Sequence, residues 1–245
     1  KQLKIPVLQK TDVLVVIPAF NEAASIRQVL IDIQSCGFGA LVIDDGSTDN
    51  TASIARQCGA RVVSLPLNAG VGGALRCGFR YAAENGFSAV IQCDADGQHL
   101  SQHLVDLVEA SNSTGSHMVV GSRFRSVQNT LDPSTTRRFA MWWLARVARF
   151  ATQHPITDST SGFRIIRQPL LGEFAQHLPS YYLGDTFEAL VVAGRSGYVV
   201  QEIGVAMAPR ASGTSSASSG RAIVLIAKSL ATVLLSLHFR IRRLR

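Results

Sequence analysis

Cysteine is scarce: Cys36, Cys58, Cys77 and Cys93 are the only four in 245 residues, and no two share a paired spacing. Their scatter argues against a disulfide framework. With no secretory signal ahead of the first apolar run, the expected compartment is a reducing cytosol. The first apolar strand is not followed by G-x-G-x-x-G, which excludes a dinucleotide-binding oxidoreductase in spite of several glycine turns. No internal repeat recurs. Aromatic residues reach only 7%, without the interleaving of aromatic and basic side chains that binds nucleic acid. Acidic residues number 17 against 24 Lys and Arg, leaving a net charge of +7 and a pI near 9.7. The excess collects in Arg240, Arg242, Arg243 and Arg245, behind an apolar stretch. That placement speaks against a nucleic-acid partner and suits an anionic membrane surface.

What is present is a chain 47% hydrophobic, expected as one domain plus an appendage. The spacing predicts a buried strand over Val13 to Ile17 and a helix carrying Ile26, Val29, Leu30 and Ile33. Strands follow over Ala40 to Ile43, Arg61 to Leu65, Ala89 to Cys93 and Met118 to Gly121. Between them lie helices over Thr51 to Gln57 and Gly70 to Asn85, and one starting near His99 that carries Leu104, Leu107 and Val108. Strands alternating with helices predict an α/β fold with a mainly parallel sheet flanked by helices. Ser122 to Thr136 lacks any period and reads as a mobile loop over the site. A helix over Arg137 to Thr152, strands over Ser161 to Ile166 and Tyr198 to Met207, and a helix near Thr186 to Ala193 would extend the sheet on one side.

The Ser/Gly-rich stretch Ala211 to Gly220 reads as a flexible link. In Ala222 to Phe239, Lys228, Thr232 and Ser236 fall four apart and make a narrow polar stripe, which fits an amphipathic helix lying in a membrane interface. Its length is marginal against a bilayer core of ~30 Å, and Lys228 would cost ~3 kcal/mol to insert. A core or dimer helix is the other reading. The expected division is therefore a catalytic domain over 1–210 and a link with a membrane- or partner-associating helix over 211–245.

Two strands end in acids. Asp94-Ala95-Asp96-Gly97 follows Ala89 to Cys93, and alternation along an extended chain would turn both carboxylates to one side, a pair suited to Mg²⁺ or Mn²⁺. Gln98 and His99 are candidates to complete the shell, His99 being better read as a helix-start residue. Asp44-Asp45-Gly46-Ser47-Thr48-Asp49 follows Leu41 to Ile43 in the same way, with Ser47 and Thr48 open to a turn or capping role. In open α/β sheets ligands bind at the carboxyl ends of strands, so the two clusters are expected to form one site.

The order Ile17-Pro18-Ala19-Phe20-Asn21-Glu22, then Asp44 to Asp49, then Asp94 to His99, then Gly121-Ser122-Arg123-Phe124 resembles the family 2 glycosyltransferases of the GT-A fold. Asp158-Ser159-Thr160-Ser161-Gly162-Phe163-Arg164 and Arg210-Ala211-Ser212-Gly213-Thr214-Ser215 resemble their polyprenyl-phosphate sugar synthase branch, that of the dolichol-phosphate mannose synthases. The resemblance implies a nucleotide pocket of Pro18, Ala19, Asn21 and Glu22. It places Asp44, Asp45, Gly46 and Ser47 near base and ribose, with Asn68 and Ala95 as further contacts. Carboxylates suit ribose hydroxyls and base imides, and would repel phosphate. Asp94, Asp96 and Gln98 resemble the family's metal cluster. Many members carry a lysine where this chain has Val71, which puts a cationic contact there in doubt.

Arg123, Arg137 and Arg210 are the candidate clamp on an acceptor phosphate, because guanidinium binds phosphate oxygens bidentately. Arg164 and Asp158 read as structural. The implied reaction is metal-dependent, inverting transfer of a sugar from a nucleotide diphosphate, UDP before GDP, to a polyprenyl phosphate such as undecaprenyl phosphate at the cytosolic membrane face. A small membrane protein or a second copy is an implied partner. An ionised phosphate needs no general base. A hydroxyl acceptor would need one, and Asp185 is the candidate for that alternative. A nucleotide-sugar-binding subunit without turnover is the reading from another class.

Overall fold

The computed structural model describes residues 6–124, 135–177 and 185–208, by backbone alone for 135–142 and 185. Seven strands form one sheet: β1 (Val13–Ala19), β2 (Gly39–Asp44), β3 (Arg61–Ser64), β4 (Ala89–Gln92), β5 (Met118–Ser122), β6 (Arg164–Arg167) and β7 (Val200–Gly204). Their spatial order is β3-β2-β1-β4-β6-β5-β7. The first four run parallel, β6 is antiparallel to both neighbours, and β5 and β7 are parallel to each other. The helices are α1 (Ile26–Ser35), α2 (Thr51–Gln57), α3 (Gly70–Glu84), α4 (Gln102–Thr114), α5 (Thr135–Thr152), α6 (Leu170–His177) and α7 (Asp185–Arg195).

The strands are apolar on both faces because both faces are covered. Leu14, Val16, Leu41 and Ile43 point into one core with Phe79 of α3, Phe174 of α6 and Leu190 of α7. Their alternates Val13, Val15, Ile17 and Val42 point into a second core with Ile26 and Leu30 of α1 and Leu104 and Leu107 of α4. Gly78 lets α3 lie close against β1: a Cβ there would stand 2.3 Å from Val16 Cγ1.

From β1 the chain steps outward to β2 and β3, then returns across to β4 on the other side of β1. Strand order thus reverses between β1 and β4, and the loops leaving their carboxyl ends part to open a crevice.

Three features differ from the sequence expectation. The helix expected near His99 starts at Gln102, because His99 is held extended in a β-bridge with Met207. The expected strand over Ser161 to Ile166 is the shorter β6, because the Ser161 hydroxyl donates to Gly121 O at 2.6 Å and pins that stretch as a loop. Helix α6, which buries Leu170, Leu171, Phe174 and Ala175, was not anticipated. Most of the irregular Ser122 to Thr136 segment lies outside the described residues, as do Arg210 and all of 211–245. Among the described residues no helix is long and apolar enough to cross a membrane.

Candidate active site

The loop after β1 is stitched to the loop after β2. Asn21 takes a left-handed backbone, φ 56°, which asparagine tolerates better than most residues. Its N–H donates to Ser47 Oγ at 3.0 Å, and its Oδ1 accepts the Thr48 amide at 2.8 Å. Next to it, the Glu22 amide donates to Thr51 Oγ1 at 2.8 Å and the Ala23 amide to Asp49 Oδ2 at 3.1 Å. Burial alone would raise the Asp49 carboxyl pKa. Donation from the Thr51 hydroxyl and from the Thr51 and Ala23 amides outweighs it and holds the group below the usual carboxylate value.

Asp44 and Asp45 have separate structural duties. Asp44 Oδ1 accepts the Ser47 amide at 3.1 Å, closing its own turn. Asp45 Oδ1 accepts the Ala69 amide at 2.7 Å, tying the second loop to the start of α3. Gly46, at φ +74°, allows that approach, since a Cβ there would lie 2.9 Å from Asn68 N. Asn68 Oδ1 accepts the Gly70 amide at 3.0 Å and fixes the turn into α3.

Asp94 and Asp96 lie beyond the end of β4, so a turn, rather than strand alternation, brings them to the crevice. Gly97 turns the chain at φ +77°, and Asp96 Oδ1 accepts the Gln98 amide at 3.1 Å. Behind them, His99 Nδ1 accepts the Asp94 amide at 3.1 Å, and its ring stacks on Phe163 with centroids 4.7 Å apart. Burial lowers the His99 pKa, against the opposing pull of Asp94 and Asp96. The neutral ring therefore carries its proton on Nε2, which lies 3.7 Å from Asp94 Oδ2.

Between these loops is a cleft of about 310 Å³ lined by Pro18, Ala19, Phe20, Glu22, Asp45, Asn68, Gly70, Val71, Asp94, Ala95 and Asp96. Of the sequence candidates, Pro18, Ala19, Glu22, Asp45, Asn68, Ala95, Asp94 and Asp96 line it. Asn21, Asp44, Gly46 and Ser47 form the bracing behind it, and Gln98 enters through its backbone amide. Phe20 lines the cleft without having been a candidate, and Gly70 and Val71 line it from the glycine-rich turn into α3, Leu67 to Ala74, a stretch that the sequence offers for close backbone approach to a ligand. Among the described residues no three His, Cys, Asp or Glu side chains cluster as a metal cage. The donor set here is two carboxylates on the cleft wall, Asp94 with 43% of its side chain exposed and Asp96 buried. That set fits Mg²⁺ or Mn²⁺, hard ions that keep waters and share their shell with substrate phosphates.

Arg123 is turned onto Asp158. Its Nε donates to Asp158 Oδ2 at 2.8 Å and its Nη2 to Oδ1 at 2.9 Å, with a further bond from Nη2 to Thr160 Oγ1 at 3.1 Å. That hydrogen-bonded pairing raises the Arg123 pKa further. Asp158 is buried and is itself positioned by Glu202 of β7. Glu202 Oε1 accepts the Asp158 amide at 2.7 Å and the Thr157 amide at 2.9 Å, and its Oε2 accepts the Thr157 hydroxyl at 2.9 Å. Sequence reasoning passed over Glu202. The available signal was an acid two residues after Val200, on the same, inward face of a strand, where a buried charge demands donors. Arg164, also buried, donates to Thr186 O at 2.8 Å and to Ser161 O, tying α7 to the 158–164 loop. Arg137 lies in α5, and Asp185 opens α7.

The family model for Glycosyl transferase family 2 matches residues 14–174. The chain is 28% identical over 216 residues to the undecaprenyl-phosphate mannosyltransferase of Micrococcus luteus, covering 85% of this chain and 88% of that one. It is 26% identical over 206 residues to the UDP-N-acetylglucosamine–dolichyl-phosphate N-acetylglucosaminyltransferase of Methanococcus voltae, covering 77% and 82%. Its fold matches that of glucosyl-3-phosphoglycerate synthase from Mycobacterium tuberculosis, a structure containing Mn²⁺, uridine diphosphate and glucosyl-3-phosphoglycerate. The TM-score there is 0.64 at 23% identity, covering 91% of this chain and 78% of that one. The acid-lined cleft at the β1/β4 reversal is thus set in a sheet of the GT-A type, and the chain belongs to glycosyl transferase family 2.

Proposed function

We propose that this glycosyltransferase moves a sugar from a nucleoside diphosphate, UDP in preference to GDP, to polyprenyl phosphate, inverting the anomeric carbon. The observation that carries the donor half is the single cleft that joins the Asp45 loop to Asp94 and Asp96. Glu22, Asp45 and Asn68 offer acceptors for base and ribose donors at one end, and the carboxylate pair takes the diphosphate end. Asp94 and Asp96 would hold a divalent ion, whose chemistry there would be Lewis-acid neutralisation of charge on the departing diphosphate. Gln98 stands beside Asp96 as a third contributor.

The acceptor half is supported by the printed activities of the two lipid-phosphate relatives. A phosphate oxygen of the lipid attacks the anomeric carbon on the face opposite the diphosphate. The bond to the nucleotide breaks with its electron pair leaving on the diphosphate. The nucleophile is already ionised, so no protein base is required. Arg123, Arg137 and Arg210 are the proposed cations for that phosphate, Arg123 held rigid by Asp158 and part-neutralised by it. Activity is assigned to the cytosolic membrane face, with 221–245 as a membrane-contacting segment and a small membrane protein or a second copy as partner.

A second reading, transfer to a sugar or protein hydroxyl with Asp185 as base, is favoured by one contact. Thr186, adjacent to Asp185, donates its hydroxyl to Thr160 O at 3.3 Å, in the loop whose Gly162 faces Asp94.

The test is a transfer assay with Mg²⁺ or Mn²⁺, a panel of UDP- and GDP-sugars, and undecaprenyl phosphate in detergent, comparing wild type with Asp96→Ala. The expected result is a lipid-linked sugar formed by wild type and abolished in the variant. Slow hydrolysis of the donor with no lipid product overturns the acceptor assignment and moves the Asp185 reading forward.

A further inference from the structure

The chain leaving β7 runs on as a short strap, Val205 to Ala208, held at four points. Val205 N donates to Ser122 O at 3.0 Å, one residue before Arg123. Ala206 N donates to His103 Nε2 at 3.0 Å. Met207 pairs with His99 in an antiparallel bridge, and Ala208 N donates to Gln98 O at 2.9 Å. Three of these anchors join main chain to main chain. The fourth, at Ala206, depends on a side chain.

His103 lies in the first turn of α4 and is itself fixed. Its Nε2 accepts an amide hydrogen, so the ring proton is on Nδ1, which donates to Asp106 Oδ2 at 2.6 Å. A carboxylate on one ring nitrogen sets the tautomer and turns the other nitrogen towards a single partner. The fold gives the pair no other duty. The buried face of α4 is Leu104, Leu107, Val108 and Ser111, and neither His103 nor Asp106 lines the cleft.

A use follows from what comes next in the chain. Ala208 is followed by Pro209 and Arg210. A proline ring fixes its own φ and confines the residue before it to extended backbone. Two residues span about 7 Å at most. The direction of the strap at Ala208 therefore limits where Arg210 can reach.

We infer that His103 is a positioning residue for the acceptor phosphate: held by Asp106, it clamps the strap at Ala206 and so aims Arg210 towards the side of the site where Arg123 stands. The inference rests on the acceptor reading proposed above, in which Arg210 is one of the phosphate cations.

The test uses the full chain and two variants of one residue. His103→Leu removes both the acceptor for Ala206 and the donor to Asp106, whereas His103→Gln keeps an acceptor oxygen for the Ala206 amide. Transfer is measured against undecaprenyl phosphate and against the nucleotide sugar separately, with hydrogen exchange at the Ala206 and Ala208 amides. In His103→Leu the acceptor KM is expected to rise on the order of 5-fold, the effect of one lost hydrogen bond. Donor KM holds, and both amides exchange faster. His103→Gln moves acceptor KM and exchange back towards wild type. In Arg210→Ala the acceptor KM is already raised, and adding His103→Leu raises it no further. Near-ultraviolet circular dichroism checks that each variant is folded. Asp106→Ala, at an exposed position, gives a smaller rise of the same kind and reads the pair should His103→Leu fail to fold.

An unchanged acceptor KM in the folded His103→Leu protein overturns the inference. So does an equal rise in donor KM or in the divalent-ion requirement, because the strap would then brace the Gln98 turn instead of Arg210. Additive effects of His103→Leu and Arg210→Ala, or a His103→Gln protein no better than His103→Leu, also overturn it. A wild type that forms no lipid-linked product removes the acceptor reading and this inference together. A wild type that forms it, with Arg210→Ala impaired and His103→Leu not, removes this inference alone.

Discussion

Gly162 faces the Asp94 carboxylate so closely that a Cβ on it would stand 3.1 Å from Oδ1 and 3.3 Å from Oδ2. Its backbone is outside the left-handed region, so alanine can take the fold and the cost falls on Asp94. Gly162→Ala is expected to weaken divalent-ion dependence on the order of 10-fold, as displaced ligand supports do, while the unfolding midpoint changes little. A metal titration of transfer activity alongside a thermal melt checks both halves. Unchanged metal dependence would show that Asp94 has room to yield.

Glu202 acts on Arg123 through Asp158. Glu202→Gln turns one acceptor oxygen into a donor, so the side chain loses either the Oε1 that takes the Thr157 and Asp158 amides or the Oε2 that takes the Thr157 hydroxyl, at a cost of about 1–3 kcal/mol. Urea unfolding should show that loss, and kcat should fall while KM for the nucleotide sugar holds, since Glu202 does not line the cleft. An equal rise in donor KM would contradict the separation of the two halves of the site.

Helix α3 lies on β1 only because residue 78 has no side chain. Gly78→Ala drives a methyl into Val16 and should cost about 1–3 kcal/mol by overpacking. Adding Val16→Ala should recover part of that loss, which a double-mutant cycle in urea would measure. Strict additivity of the two changes would show that they do not meet.

Asp49 predicts the sign of an acid effect. Its folded pKa is lowered relative to the unfolded chain, so its contribution is present above the usual carboxylate pKa and is lost as pH falls through that value and below. Asp49→Asn should lower the melting temperature at neutral pH and flatten its dependence on acid, the two proteins converging at the lowest pH. Parallel melting curves across the titration would assign the Asp49 bonds no role in stability.

The α/β alternation and both acidic clusters were legible because each is written in consecutive residues: an apolar run, then acids, glycine and hydroxyls. The Arg123–Asp158 pair was not, because its partners lie 35 residues apart and an arginine that clamps phosphate looks the same in sequence as one that pairs with a carboxylate. Glu202 meets Thr157 from 45 residues away. The register of β5 against β6 and β7 decides that meeting, and no local pattern carries it. Asp94 and Asp96 reach the cleft by a route the sequence did not show, since a glycine turn, rather than strand alternation, presents them.

The segment after β7 is laced to the start of α4. Ala206 N donates to His103 Nε2 at 3.0 Å, and Ala208 N donates to Gln98 O at 2.9 Å. The first of these bonds closes a loop of 103 residues, whereas β1, β2 and β3 pair between near neighbours in sequence. Closing so long a loop costs more entropy than pairing near neighbours, by about 0.6 kcal/mol for each doubling of length. β1, β2 and β3 are therefore expected to form earlier in refolding than this seam beside the Asp94 turn. Its amides should exchange with solvent before those of β1.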